Sequence, residues 1–207
     1  MSKINCNFCS KKFGIKAIEG HLSTCIPNFV NDKSGYLIEF ISIGGVINKS
    51  YQMFAIFGNK CRFNHIDKFL RTMWCECCNH MSTIDVFEEV SENETHANVK
   101  FNTLISKYEH ANQFIYCYDM GSITNIYFRI IKKLEGINKN TDIELLYRNE
   151  PFKIKCDNFK KCKGIAMYVF EQELFCDTCK NNIDKENQEY VLKISNSPRS
   201  GICAYGE

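Results

Sequence analysis

Short apolar runs, bounded by glycine or polar turn residues, follow one another along most of the chain after residue 35. Runs that are rich in β-branched and aromatic residues and end in such signals predict strands. Gly44-Gly45 separates the first two runs, and residues 119–122 form a predicted hairpin turn between two later ones. The predicted strands are Tyr36–Ile43, Tyr51–Phe57, Phe114–Tyr118, Ile123–Ile131, Ile143–Tyr147 and Tyr190–Ile194.

The middle of the chain has the three- and four-residue apolar spacing of helices. The first helical stripe, with Asn64 as a plausible N-cap, consists of Ile66, Phe69, Leu70, Met73, Trp74 and Cys77. A second stripe consists of Phe101, Leu104, Ile105 and Tyr108. The acidic stretch between them, from Asp85 to Glu94, is predicted to be a solvated loop. Strands on both sides of a helical middle predict an α+β fold, with a mostly antiparallel sheet packed against helices.

Length and charge narrow the class of protein. The 207 residues suit one main domain with a small additional unit. Lys+Arg 26 against Asp+Glu 24 excludes a polybasic protein, so any basic surface must be local. No apolar run approaches the ~20 residues that a membrane span requires, and residues 1–6 lack the apolar core of a signal peptide. We therefore expect a cytoplasmic protein without a membrane partner.

The cysteine content is the unusual feature of the composition: 13 cysteines accompany 5 histidines. The cysteines fall into short-range pairs, which favours metal thiolates over a secreted disulfide framework. The pairs predict a zinc finger at residues 1–27, a linker at 28–35 and the α+β domain at 36–207. A cysteine-rich insert occupies residues 152–182 of that domain.

The finger has the spacing C-x2-C-x11-H-x3-C, from Cys6, Cys9, His21 and Cys25. The first two cysteines lie in a turn, whereas His21 and Cys25 share one face of the following helix. A unit this small needs zinc to fold, because it lies below the ~40 residues that usually fold alone. Its lysines could contact phosphates, while protein docking and structural capping are equally open roles. These lysines are Lys11, Lys12 and Lys16.

The insert carries a second set of four cysteines, Cys156, Cys162, Cys176 and Cys179. Two pairs separated by a strand, here 165–170, resemble a zinc ribbon, although the first pair is more widely spaced than usual. Buried cysteines without metal are the alternative. Lys160 and Lys161 belong to a lysine-rich stretch that could face a nucleic-acid backbone or form a solvated rim. Together with the finger, the insert predicts about two zinc ions per chain.

A further candidate site lies around residues 74–80. Cys78 and His80, joined by Cys203, would hold a zinc ion with an open position for water, with Asp119 as a general base. The simpler interpretation places Cys77 in the helix core, makes His80 a helix cap and makes Asp119 a turn residue. Cys61 and Cys117 are interpreted as core residues or as spare cysteines without a role in a site. The chain has no complete Ser-His-Asp set and no phosphate-binding or dinucleotide loop.

Several motifs are similar to those of one family. Residues 74–82, Trp-Cys-Glu-Cys-Cys-Asn-His-Met-Ser, match a family pattern Trp-Leu-Glu-Cys-Cys-Gly-His-Leu-Ser, and 118–122 match Tyr-Asp-Phe-Gly-Ser. The match is completed by residues 69–71, 148–151 and 196–199, with Gly201, Cys203 and Tyr205. On these motifs the chain resembles the plasmid open-reading-frame-three-like proteins of bacteria and archaea, also described as insertion-sequence passenger proteins. Some relatives begin with a similar finger.

The resemblance implies a compact α+β domain with extra cysteine pairs, in a mobile-element context and with a largely unassigned role. This chain departs from the relatives at Asn79, where they carry glycine, and lacks a further cysteine pair near 166–170. The sequence therefore favours a zinc-binding protein that recognises nucleic acid or a protein partner. The alternatives are a zinc-assisted hydrolase at Cys78, His80 and Cys203, and a purely structural adaptor.

Overall fold

The computed structural model describes residues 3–5, 9–14, 17, 20–21, 24–25, 33–90, 93–111, 113–136, 138–139, 141–203 and 205. Among these residues, no helix combines the length and the apolar character needed to cross a bilayer. The predicted ligand Cys6, the predicted contact Lys16 and residues 26–32 of the region around the linker lie outside the described residues.

A large antiparallel sheet is the centre of the α+β fold. Seven strands follow the order β10-β4-β3-β8-β7-β5-β6, and the two-residue β9 (Asn138–Lys139) runs parallel beside the start of β3. The seven strands are β3 (Lys33–Gly44), β4 (Lys49–Gly58), β5 (Ser82–Val90), β6 (Asn93–Asn98), β7 (Gln113–Tyr118), β8 (Thr124–Leu134) and β10 (Ile143–Arg148). Five of the six strands predicted from the sequence are among them.

Side chains alternate between the two faces of the large sheet, and those of one face lie in the main core. In β7, Phe114, Tyr116 and Tyr118 are buried, and they lie against Ile126 and Phe128 of β8 in the same core cluster. The rings of Phe114 and Phe128 stack with centroids 4.7 Å apart. The two-residue period of a strand therefore fixes which face of the sheet meets the helix.

The first predicted helix covers the core side of the sheet. It consists of α1 (Phe63–Leu70), followed by one π-helical turn at Arg71–Cys75. The helix begins after Arg62 rather than at Asn64, because the Arg62 N–H donates to His65 Nδ1 at 3.0 Å. It also ends earlier than the stripe predicts, so Cys77 lies beyond it.

Two expectations for the middle of the chain are wrong. The described residues of the acidic stretch, 85–90 and 93–94, are not a loop but lie in the paired strands β5 and β6, because Ile84 and Val86 alternate into the core while Asp85 is only partly buried. Glu92 lies outside the described residues. The second predicted helix is only a 3-10 turn at Ile105–Tyr108. The carbonyls of Phe101 and Thr103 accept the first N–H groups of α1 instead of continuing a helix of their own.

The insert forms its own small layer. A three-stranded sheet has the order β12-β11-β13, and two four-residue helices carry cysteines. These elements are α2 (Phe159–Cys162), β11 (Tyr168–Phe170), β12 (Glu173–Phe175), α3 (Asp177–Lys180) and β13 (Leu192–Lys193). The strand predicted at 190–194 is thus reduced to two residues, because a 3-10 helix (Lys185–Tyr190) precedes it.

The finger packs against the second face of the large sheet. Its strands β1 (Lys3–Asn5) and β2 (Lys12–Gly14) pair antiparallel, and the described residues at 17, 20–21 and 24–25 are helical. Cys25 is buried in a cluster with Leu37 and Phe54 of the sheet. Strand β3 begins at Lys33, inside the segment predicted as a linker.

Candidate metal centres

Three groups of Cys and His side chains are placed closely enough to hold a metal ion. Within each group, the ligand atoms all lie within 4.8 Å of one another. We name them the finger cluster (Cys9, His21, Cys25), the insert cluster (Cys156, Cys162, Cys176, Cys179) and the tail cluster (Cys77, Cys78, His80, Cys203). The identity of the metal is not fixed by the geometry, since thiolate and imidazole ligands suit several soft or borderline ions.

The insert cluster joins the four cysteines that the sequence pairs. Cys156, Cys176 and Cys179 are buried, and the Sγ atoms of Cys162 and Cys176 lie 3.7 Å apart. Five residues separate Cys156 from Cys162, and the single turn of α2, which ends at Cys162, places this cysteine beside the other thiols. Gly164 is required beside them, because a Cβ there would lie 2.6 Å from Cys176 Sγ.

In the insert cluster the electrostatics favour a thiolate at Cys176, whereas burial raises the pKa of Cys179 to about 12. Hydrogen bonding by the Cys179 backbone N–H is the largest influence on Cys176, and it lowers the pKa of that thiol to about 7. Cys176 stands at the start of α3, where backbone N–H groups point towards it. Because the thiolate is the form that binds metal, a lowered pKa favours metal binding by Cys176 near neutral pH.

Three of the four predicted ligands of the finger cluster are among the described residues, and they lie together. Cys9 Sγ lies 3.3 Å from His21 Nε2, and the Phe13 ring stacks on the His21 ring with centroids 3.7 Å apart. Burial, with a smaller contribution from Lys11, lowers the pKa of His21 and so favours the neutral imidazole that coordinates metal. The fourth predicted ligand, Cys6, is outside the described residues.

The tail cluster brings together residues from opposite ends of the main domain. Cys203 Sγ lies 3.6 Å from Cys78 Sγ and 3.5 Å from His80 Nε2, although more than a hundred residues separate them in sequence. Cys77 adds a ligand that the sequence analysis assigned to the helix core. Its position next to Cys78 could have indicated that Cys77 is a ligand. The apolar stripe instead predicted a helix that extends to Cys77, whereas the helix ends at Cys75.

His80 does not cap the helix. Its backbone N–H donates to the Tyr118 hydroxyl at 3.2 Å, and its carbonyl accepts a hydrogen bond from Arg71 at 2.8 Å. Arg71 also binds Asp67 at 3.0 Å and Glu76 at 2.9 Å, so one guanidinium holds the loop after the helix. Within this loop Asn79 has a φ of 57°, a left-handed conformation that Asn tolerates better than most residues other than glycine.

Asp119 is a turn residue rather than an available base. Its carboxylate accepts hydrogen bonds from the N–H groups of Gly121 at 3.0 Å and Ser122 at 3.2 Å, and it forms an ion pair with Arg199. The hydrogen bond from Arg199 is the main reason that the pKa of Asp119 falls to about 2. A carboxylate held by these partners is a poor proton acceptor near neutral pH.

The remaining predicted residues fall outside the three clusters. Cys61 is fully buried and donates to the Thr141 carbonyl, and Cys117 is half-buried on β7. Lys11 and Lys12 are exposed on the finger, and Lys160 and Lys161 are exposed on the insert. The lysines are thus on the surface, as contacts to a partner would require.

Comparisons with known proteins leave the chain without an assigned family. No family model matches the sequence, and no curated protein matches it. Among solved structures, a protein of unknown function from Methanosarcina mazei Go1 is similar over 59% of this chain and 67% of that chain, with 11% identity and a TM-score of 0.39. The candidate centres therefore rest on the geometry of this chain alone.

Proposed function

We propose that this protein binds zinc at the finger and insert clusters, and that the insert contacts the phosphate backbone of nucleic acid. The observation that carries the proposal is the insert cluster, four cysteine thiols within 4.8 Å of one another, in a segment that also carries exposed lysines. Four thiolates at tetrahedral distances are a typical structural zinc site. The ion would organise a segment whose own core is very small.

The segment that carries Cys156 and Cys162 has the charge that a polyanion requires. Five exposed lysines follow one another within eleven residues, against a single acidic residue, Asp157. Two exposed apolar side chains, Ile165 (45% exposed) and Met167 (52% exposed), follow this segment in the sequence. The lysines are Lys153, Lys155, Lys160, Lys161 and Lys163. Such a surface suits sequence-independent contacts to phosphates better than reading of base edges.

The finger has a different role in this proposal. Cys9, Phe13 and Cys25 pack against the apolar second face of the sheet, so the ligands of the ion face the protein. We infer that the finger is a structural cap, and that Lys11 and Lys12 only add to the local charge. The motif resemblance adds a mobile-element context to the proposal, on sequence grounds alone.

The tail cluster and Asp119 fit the hydrolase alternative less well than they fit a closed metal site. It requires three protein ligands and an open position for water, whereas Cys77 supplies the tail cluster with a fourth ligand. Its general base, Asp119, is occupied by Arg199 and two backbone N–H groups.

The zinc part is tested by elemental analysis of the purified protein and its variants. Cys176→Ser and Cys25→Ser should each lower the zinc content by about one ion per chain, because each removes a ligand from one tetrahedral site. Cys117→Ser is the matched control, since this half-buried cysteine lies outside the three clusters. Unchanged zinc in both ligand variants would contradict the proposal.

The nucleic-acid part is tested by fluorescence anisotropy of a labelled DNA duplex titrated at several salt concentrations. Affinity should fall linearly on logarithmic axes, with a slope of about −0.9 for each phosphate neutralised. The double variant Lys160→Gln/Lys161→Gln should reduce that slope by about two units in magnitude. Lys107→Gln, an exposed lysine on the 105–108 turn, should leave it unchanged. A slope that the double variant does not alter would refute the assigned surface.

A further inference from the structure

The tail cluster provides a third group of ligands, distinct from the two that the proposed function uses. Its side chains come from the loop after the π-helical turn, which carries Cys77, Cys78 and His80, and from Cys203. Cys78 and Cys203 are exposed, while Cys77 and His80 are partly buried. The group therefore lies at the surface, where a metal ion can enter.

The distances fit a tetrahedral ion. Zinc bonds of ~2.3 Å to sulfur and ~2.0 Å to nitrogen place neighbouring ligands of a tetrahedron about 3.3–3.8 Å apart. The measured separations from Cys203 Sγ are 3.6 Å to Cys78 Sγ and 3.5 Å to His80 Nε2. All four ligand atoms lie within 4.8 Å of one another.

A disulfide does not explain this arrangement. The 3.6 Å between the Sγ atoms of Cys78 and Cys203 is far longer than the ~2.05 Å of a disulfide bond. A disulfide would also involve only these two residues, and it would leave the convergence of Cys77 and His80 without a reason. A metal ion uses all four side chains.

The protein around the cluster holds the two ligand segments in place. Ser197 Oγ donates to the Trp74 carbonyl at 2.6 Å, which joins the 195–203 segment to the turn that precedes Cys77. Gly45 lies beneath the same segment, and a Cβ there would come within 2.4 Å of the Pro198 carbonyl oxygen. Arg199 anchors the segment to Asp119 in the turn between β7 and β8. The ligands are therefore positioned by contacts that do not depend on the metal.

We infer that Cys77, Cys78, His80 and Cys203 bind a third zinc ion, in a closed Cys3His site that clamps the 195–203 segment to the end of the π-helical turn. Four protein ligands fill the tetrahedron, so the site is structural and does not activate water. Because Cys78 and Cys203 are exposed and the insert cysteines are largely buried, this ion is also the one that a chelator reaches first.

The inference is tested by the metal content of the full chain and of paired variants at one position. The wild-type protein should hold about three zinc ions, His80→Ala about two, and His80→Cys about three, because a thiolate restores the fourth ligand. Rescue by cysteine distinguishes loss of a ligand from general misfolding. Cys117→Ser is again the control and should keep the wild-type content.

Cobalt supplies a second measurement, which reports the ligands directly. After exchange of zinc for Co2+ alone, His80→Cys should increase the thiolate-to-cobalt charge-transfer absorption, because the site gains a sulfur ligand. Cys203→Ser should decrease it. The finger and insert clusters are unchanged in these variants, so their contribution to the spectrum stays constant.

Two results would overturn the inference without touching the proposed function. One is a wild-type content of about two zinc ions that His80→Ala does not lower. The other is a Cys78–Cys203 disulfide, found by mass spectrometry in protein that holds only the finger and insert ions. A protein without any zinc would instead overturn the proposed function itself.

Discussion

Arg199 forms an ion pair with Asp119 across 80 residues of the chain, and its side chain has no exposed surface. The same guanidinium donates to the Ser122 carbonyl at 2.9 Å and lies over the Tyr118 ring, 4.9 Å from its centroid. This contact fixes the turn between β7 and β8 to the 195–203 segment. It also places Asp119 Oδ2 3.6 Å from His80 Nε2, beside the tail cluster.

Arg199→Met should lower the free energy of unfolding, because it leaves the Asp119 carboxylate without its cation. Asp119→Asn combined with Arg199→Met should recover part of the loss, since neither charge then remains. Urea unfolding of the zinc-loaded protein measures both. Lys107→Met, at an exposed lysine, is the control and should change the midpoint little. A double variant that is no more stable than Arg199→Met would show that the ion pair contributes nothing specific.

The finger should protect the second face of the large sheet. Cys25→Ser should increase the fluorescence of a hydrophobic dye, because loss of the finger ion uncovers Leu37, Phe54 and Ile56. The measurement is a dye titration of native protein below its unfolding temperature. Cys117→Ser should bind no more dye than the wild type. Equal dye binding by Cys25→Ser would indicate that the finger stays in place without a complete ligand set.

Buried tyrosines should make the protein sensitive to alkali. Burial raises the pKa of Tyr147 to about 12, and burial likewise raises the pKa of Tyr116. Because the unfolded tyrosines lose their protons near pH 10, their stabilising contribution is complete below that pH. It is lost progressively as the pH rises from there through the folded-state values. Urea midpoints from about pH 8 to about pH 11 should therefore fall.

Tyr116→Phe tests which side chain is responsible. The variant should show a shallower decline of stability with alkaline pH, although it also loses the hydrogen bond from the Tyr116 hydroxyl to Asp67 at 2.9 Å. Tyr190→Phe, at a side chain that is 63% exposed, should reproduce the wild-type decline. A decline identical in all three proteins would exclude Tyr116 as its source.

Most of what could be predicted about the metal sites came from the spacing of cysteine and histidine over a few residues of sequence. Two residues separate Cys176 from Cys179, and His21 and Cys25 lie one helical turn apart. Such ligands meet because of backbone geometry that extends over only a few residues. For the same reason, the strands 36–43 and 51–57 could be recognised from their own apolar runs and from the turn residues that bound them.

Cys77 shows where local reasoning failed. Its position on the apolar stripe is compatible with a longer helix, and only the π-helical turn ends the helix at Cys75. Cys203 lies beside Cys77 because Arg199 and Ser197 of the same segment are buried in the main domain. The sequence around Cys77 contains no sign of that contact. The acidic stretch was mistaken for a loop in the same way, since its first residues, 85–87, pair with β7, which lies outside its own sequence.

The sequence by itself determined five strands of the large sheet, the first helix, and the grouping of cysteines within the insert, because each depends on neighbours a few residues away. The tertiary structure alone decided that the finger packs on the sheet through Cys25, and that Cys203 reaches His80. Those contacts depend on which apolar faces are left to bury once the sheet has formed. That information is spread over the whole chain.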